Sequence, residues 1–326
     1  MKFLNVRNVI SALLIAVLIC LPFMASEIQT YLATEVLIYA LFAMGFNVLF
    51  GYTGLLPFGF AALFGFAAYV TALICRHYSG IPLPVTLIIA ALSGSVAGLC
   101  IGFFCARLSG AYFALTTVAF QMFLFAVALK WRSVTGGDDG MTVARGDFTL
   151  GGLVAIPLMN TVNFYLFTLI VVGTAVLLCY LFLKTPLGNS LICVRENDIK
   201  ASFLGYNVFL IRLIAFSASG VLAGLAGGLF ALFQEFVATT CIDLNMGLVP
   251  VLMTVIGGSG FFIGPAVGAA FYVIVQNWLS SLTGYWMLIF GTIFIITVLY
   301  AGDGLIGLVI KPYRIWKTRQ SGKRIY

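Results

Sequence analysis

Apolar runs alternate with short polar or glycine-rich breaks along nearly the whole chain. A membrane-spanning helix needs about 20 mainly apolar residues. On that ruler, spans fall near 8–25, 32–50, 57–75, 83–106, 111–130, 161–183, 211–235, 245–258, 264–282 and 285–307. The run at 245–258 is short and contains Pro250, so it reads as a broken or re-entrant helix. Such a segment is tolerated only where protein or a cavity covers its backbone groups. The pattern predicts an all-α polytopic membrane helix bundle of 8–10 transmembrane helices, built as one transmembrane domain over residues 1–326. The first run follows Lys2 and Arg7 and another apolar run comes soon after it, which favours an uncleaved signal anchor over a cleaved leader.

Composition agrees with that pattern. Apolar residues make up 62% of the chain, charged residues 8%, and the mean hydropathy is +1.14. A soluble domain carries roughly 25% charge, so lipid is the main solvent here. Basic residues cluster at Lys2 and Arg7, at Lys184, Arg195, Lys200 and Arg212, and from Lys311 through Arg314, Lys317, Arg319 and Lys323 to Arg324. The positive-inside bias assigns all three clusters to the cytoplasm. Ten spans satisfy it, with both termini, a segment 184–212 and a basic tail 308–326 inside, and a loop 131–160 outside. The net charge of +7 is then mostly topological and calls for no nucleic-acid partner.

Small residues recur every four positions, at Gly94, Gly98 and Gly102, at Gly220, Gly224 and Gly228, and at Gly264 and Gly268. Each set lies on one helix face and suits close helix packing in lipid. Two glycine-rich breaks, Gly51 to Gly59 and Gly257 to Pro265, interrupt apolar stretches in the two halves of the chain. They read either as broken helices that meet near a pathway or as plain turns. The loop Thr135-Gly136-Gly137-Asp138-Asp139-Gly140, followed by Arg145-Gly146-Asp147, reads equally as an outer docking surface or as a turn in which the glycines serve backbone geometry.

Segment 184–212 combines charge, a Pro-Gly break and a short helical pattern. A helix from about Ser190 to Leu204 would gather Ile192, Ile199, Phe203 and Leu204 on an apolar side, with Arg195, Glu196, Asp198 and Lys200 near it and Gly205 as its stop. It suits docking in a partner's groove, or else lying on the lipid surface. The chain has no phosphate-binding G-x-x-x-x-G-K-[ST] loop, no H-E-x-x-H and no nucleophile triad, so an enzyme is not expected and ATP chemistry would belong to another subunit. The seven cysteines form no C-x-x-C pair and read as packing residues, and His77 reads as interfacial, so no metal is expected.

Five blocks carry a resemblance. They are Asn47 to Gly54 with Phe58-Gly59; Arg107 to Thr117; Thr135 to Gly140; Thr185-Pro186-Leu187-Gly188 through Arg195-Glu196-Asn197 to Leu204-Gly205; and Gly257 to Gly260 with Gly264-Pro265. The chain resembles the LivM-type permeases of branched-chain amino acid ABC importers, a family that also serves urea and short amides. Leu56-Pro57-Phe58-Gly59 departs from a Ser-rich stretch usual there. The resemblance implies an importer in the bacterial inner membrane, with a paralogous permease subunit, two ATPase subunits and an outer solute-binding protein as partners. It implies no cofactor on this chain, ATP and Mg being held by the ATPases. It makes Arg195, Glu196, Asn197, Asp198, Ala201, Leu204 and Gly205 the ATPase-coupling residues, and Thr135, Gly136, Gly137, Asp138, Asp139 and Gly140 the outer docking loop.

Asn47, Thr116, Thr117 and Gln121 are neutral polar residues within apolar spans, and they are the candidates for a solute pathway. Interhelical bonding is their plainer role. An ion-coupled carrier using Glu235 and Asp243 is the competing function, with both acids expected at the outer end of the bundle.

Overall fold

A computed structural model describes residues 18–78, 81–145, 148–150, 154–156, 158–300 and 304–307. Most of the first expected span, Gly146-Asp147 and the basic tail lie outside the described residues; 18–24 is helical. The long helices are α1 (Glu27–Thr53), α2 (Ala61–His77), α3 (Leu83–Cys105), α4 (Gly110–Lys130), α6 (Thr161–Lys184), α9 (Val208–Gln234), α10 (Leu244–Gly257), α11 (Gly264–Leu282) and α12 (Trp286–Tyr300). Between them lie the short helices α5 (Arg132–Thr135), α7 (Pro186–Glu196) and α8 (Asp198–Phe203). Four very short strands pair as β1 (Met141–Thr142) with β4 (Phe236–Val237) and β2 (Phe148–Leu150) with β3 (Val154–Ile156), both antiparallel.

Among the described residues α1, α3, α4, α6, α9 and the segment Thr239–Gly257 are long and apolar enough to cross a membrane, and shorter apolar helices cover Ala61–His77 and Met287–Leu299. The chain is a polytopic all-α bundle. Polar caps set where several helices begin. Ser26 and Gln29 form a capping box on α1. Asn160, Thr185 and Asn207 accept the N–H groups of Val162, Gly188 and Leu210.

The centre is α1, with Ile38, Leu41, Phe42, Phe46 and Leu49 fully enclosed. The glycine faces of α3 and α9 meet backbone to backbone. A Cβ at Gly94 would overlap the Gly220 carbonyl, one at Gly224 the Ala90 carbonyl, and one at Gly98 would stand 2.5 Å from the Phe216 oxygen. The α10–α11 pair closes in the same way, with Gly257 against Gly264 and Gly268 against the Met253 carbonyl.

Three expectations change. The span expected at 57–75 is helical only from Ala61; residues 54–57 have no helical structure and 58–60 form a turn. The segment at 245–258 is not broken at Pro250, because α10 runs through it as one 14-residue helix, about 21 Å long. The single helix expected over 190–204 is two helices, split at Asn197, whose backbone is extended (φ −167°, ψ 108°) and whose side chain accepts the Lys200 N–H at 2.9 Å. A side chain that caps the following turn competes with continuation of the helix before it.

Candidate functional site

The two glycine-rich breaks meet in space, since a Cβ at Gly51 would stand 2.6 Å from the Ser259 carbonyl oxygen. α1 ends there in a Schellman-type turn. Gly54 takes a left-handed conformation (φ 71°), its N–H donates to Phe50 and the Leu55 N–H donates to Leu49. The chain then continues without helical structure through 54–57 and a turn at 58–60 to α2. Irregular backbone at membrane depth has to be buried in protein or to line a cavity.

It does both. Gly54, Leu55, Leu56 and Phe58 form one wall of a cavity of about 410 Å³ whose other wall is the first turns of α4, from Gly110 to Val118. Beyond Phe58 the segment is clamped. The Gly59 N–H donates to the Thr117 hydroxyl at 3.2 Å, Gln121 Nε2 donates to the carbonyls of Ile242 (2.9 Å) and Asp243 (2.8 Å), and a Cβ at Gly247 would stand 2.6 Å from the Phe58 oxygen. The N-terminal ends of α2 and α10 therefore meet at the middle of α4, and this hub closes the cavity on that side.

The pathway candidates separate accordingly. Thr117 and Gln121 are buried parts of the hub, making the interhelical bonds just described. Thr116 is half-buried and its hydroxyl donates to the Tyr112 carbonyl at 2.7 Å. Asn47 is buried where Gly51 approaches Ser259, about two turns before the unwound stretch. None of the four lines the cavity.

At the mouth of the cavity, segment 186–205 packs against the bundle through Leu191, Val194 and Ala201, which are buried. The side chains expected on its apolar side are exposed: Ile192 is 40% exposed, Ile199 67%, Phe203 86% and Leu204 76%. The split at Asn197 re-aims α8 relative to α7, which a continuous helix does not allow. Glu196, Asn197 and Gly205 are also exposed, and Gly205 takes φ 88° just beyond α8.

Two arginines fasten this segment to the bundle. Arg195 Nη1 donates to the Gly51 carbonyl at 2.5 Å, and its Cγ lies against Gly54. Arg212, only 6% exposed at the start of α9, donates through Nη1 to the carbonyls of Ala106 (3.0 Å) and Leu108 (3.2 Å) and through Nη2 to the Asp198 carboxylate. The Gly51 and Ala106 carbonyls thus bound lie at helix C-terminal ends, which lack intrahelical partners and carry partial negative charge, while Leu108 lies in the connection to α4. The sequence reading used Arg212 only as a topological charge. Its position one turn inside an apolar span was the available signal for a paired role.

At the opposite end of the bundle, Thr135 to Gly140 forms a tight knob. The Thr135 hydroxyl reaches the carbonyls of Ala128 (2.6 Å) and Trp131 (2.9 Å) and accepts the Gly137 N–H at 3.2 Å. Gly136, Gly137 and Gly140 all have positive φ, which explains the glycines by backbone geometry, while Asp138 and Asp139 remain exposed. Nearby, Arg145 donates to the Leu232 carbonyl at 2.6 Å, lies 3.2 Å from the Glu235 carboxylate and stacks on Phe164. Burial draws this guanidinium below the ordinary arginine value, and Glu235 works the other way. Glu235 is therefore a rim residue in an ion pair. Asp243 lies deeper than expected, level with Gln121 in mid-α4, and its carboxylate accepts from Asn245 at 2.8 Å. A further acid, Glu35, lies within α1 against Asn277.

Residues 28–298 match the family described as branched-chain amino acid transport system / permease component. The chain is 28% identical over 330 residues to the high-affinity branched-chain amino acid transport system permease protein LivM of Escherichia coli K12, and 26% identical to the Salmonella typhimurium LivM. Each of these alignments covers 95% of this chain and 77% of the relative. It is also 26% identical over 291 residues to the autoinducer 2 import system permease protein LsrC of Escherichia coli K12 strain DH10B, covering 85% of this chain and 81% of that one. No solved structure matches the chain significantly.

Proposed function

Since the chain belongs to the branched-chain amino acid transport system permease family, and is thus a multi-pass membrane permease component, we propose that it moves a small amino acid inward as one of two permease subunits of an ABC importer. ATP is hydrolysed by separate subunits that dock on 186–205, which places that end of the bundle in the cytoplasm and Thr135 to Gly140 outside, facing a solute-binding protein. The observation that carries this reading is the outward apolar face of α8. Ile199, Phe203 and Leu204 stand exposed in a segment bearing Arg195, Glu196 and Lys200, while its other face is fastened to the wall of a cavity. Large exposed apolar side chains beside charge mark docking sites for partners.

The cavity favours an aliphatic solute, since Leu55, Leu56, Phe58, Phe113, Leu115 and Val118 line it. The LivM relatives point the same way. The LsrC relative supports a second reading, with the same machinery passing a different small solute. Among the described helices long and apolar enough to cross a membrane, α4 is the least enclosed, and it offers a face along which a second permease would seat.

The test is co-purification of the chain with the ATPase subunits encoded beside it, comparing wild type with Phe203→Glu/Leu204→Glu. Both positions are exposed, so folding is expected to survive. ATPase subunits should accompany the wild type and leave the variant. If none accompanies the wild type, the importer reading fails.

A further inference from the structure

The two arginine anchors hold the backbone just ahead of the two opposite walls of one cavity. Arg195 holds the Gly51 carbonyl, three residues before the wall Gly54 to Phe58. Arg212, tied to the segment by Asp198, holds the Ala106 and Leu108 carbonyls, immediately before the wall that starts at Gly110. We propose that Arg195 and the Arg212–Asp198 pair are positioning residues that deliver movement of segment 186–205 to both walls at once, opening and closing the cavity mouth while the Phe58–Gln121–Gly247 hub stays fixed.

Each wall is built to move at its anchored end and not at the other. On the first wall the backbone between Gly54 and Pro57 belongs to no helix, and Gly54 begins it at φ 71°. On the second, the chain passes from the end of α3 through Ala106 to Ser109 and enters α4 at Gly110 with φ 58°, where a Cβ would meet nothing within 4 Å. A few element-terminal residues with unusual φ are what a hinge needs. The far ends are clamped by the Gly59–Thr117 bond and by the close approach of Gly247 to Phe58.

The anchors also transmit force rather than merely touching. Arg212 is almost wholly buried and divides its donors between two bundle carbonyls and one carboxylate of the segment, so α8 cannot shift without disturbing the α3–α4 link. Arg195 is bonded at 2.5 Å to a carbonyl of the last turn of α1, where no intrahelical donor competes. A packed element with two discrete arrangements, biased from one end, is the physical form such coupling takes.

This inference rests on the docking role proposed for 186–205. The assembled complex of chain, second permease and ATPase subunits, reconstituted with binding protein, would be assayed for solute uptake and ATP hydrolysis together. Arg195→Ala and Asp198→Asn are expected to lower uptake per ATP hydrolysed about tenfold, within the ordinary range of coupling between sites, with the amount of bound ATPase subunit measured in the same preparations. Leu56→Cys, on the cavity wall, reports the movement directly. Its alkylation should change when a non-hydrolysable ATP analogue is added, and that change should vanish when Arg195→Ala is combined with it. Unchanged uptake per ATP in both variants, or an alkylation change that persists without Arg195, overturns the proposal. Loss of ATPase binding by the wild type would overturn the docking reading instead.

Discussion

At Gly94, Gly98, Gly220 and Gly224 the missing side chain brings two helices into backbone contact. In hydrocarbon, where apolar surface gains little from leaving lipid, such van der Waals closeness is what holds helices together. Gly98→Leu puts a Cβ 2.5 Å from the Phe216 carbonyl oxygen. Overpacking of a close contact costs about 1–3 kcal/mol or more, so the variant should melt earlier in detergent. Gly173→Leu, in open space on α6, should not, and equal melting of both would remove the contact from the account. The four-residue glycine spacing made this face legible from the sequence. Which face it would meet was not, because Gly94 and Gly220 are far apart in the chain. Arg212 was half legible in the same sense. A guanidinium inside an apolar span calls for partners, but nothing local names Asp198 or the Ala106 carbonyl.

Among the elements, the unwound stretch before α2 departs most from an ideal bundle. Pro57 lies in it and is buried, with no N–H to leave unpaired. Pro57→Ala introduces one, and an unsatisfied buried donor costs about 1–3 kcal/mol. A lower melting temperature and slower uptake are expected; a variant as stable and active as wild type would mean that a partner for that N–H is already in place. Segment 186–205 shows how an element can be found and yet mis-drawn. Its charge and the stop at Gly205 were readable, while its start was not, since the helix begins at Pro186 and not at Ser190. Its apolar face was assigned by assuming one helix through Asn197, and the split there buries Leu191, Val194 and Ala201 and leaves Ile199, Phe203 and Leu204 outside. Asn followed by Asp is a helix-start signal, and that signal outweighs the continuous 3.6-residue pattern.

For the whole molecule, the two ends have different jobs in the proposed importer. The Thr135–Gly140 knob separates the two readings of its sequence by residue. Its glycines answer to backbone geometry, and its exposed acids are free to meet a partner. Asp138→Lys/Asp139→Lys should therefore leave the stability within about 0.5 kcal/mol of wild type, as surface changes usually do. It should nevertheless lower the stimulation of ATP hydrolysis by the solute-binding protein in the reconstituted complex. Gly137→Val, whose Cβ would press on Arg132 Cγ and the Leu129 carbonyl, should instead reduce the folded yield. Unchanged stimulation in the charge-reversed variant would leave the knob with a structural role alone.

The sequence by itself determined that this chain lives in lipid, roughly where its apolar segments lie, and which family it resembles. These follow from local composition, because each stretch of about twenty residues is solvated by hydrocarbon or not on its own account. The tertiary structure decided where a span unwinds, which side of α8 faces out, that Thr117 and Gln121 join a packed hub, and that two arginines hold the backbone just ahead of the two walls of one cavity. Those depend on contacts between residues distant in the chain, such as Arg195 with Gly51 and Arg212 with Ala106, whose energies exist only once the helices are side by side.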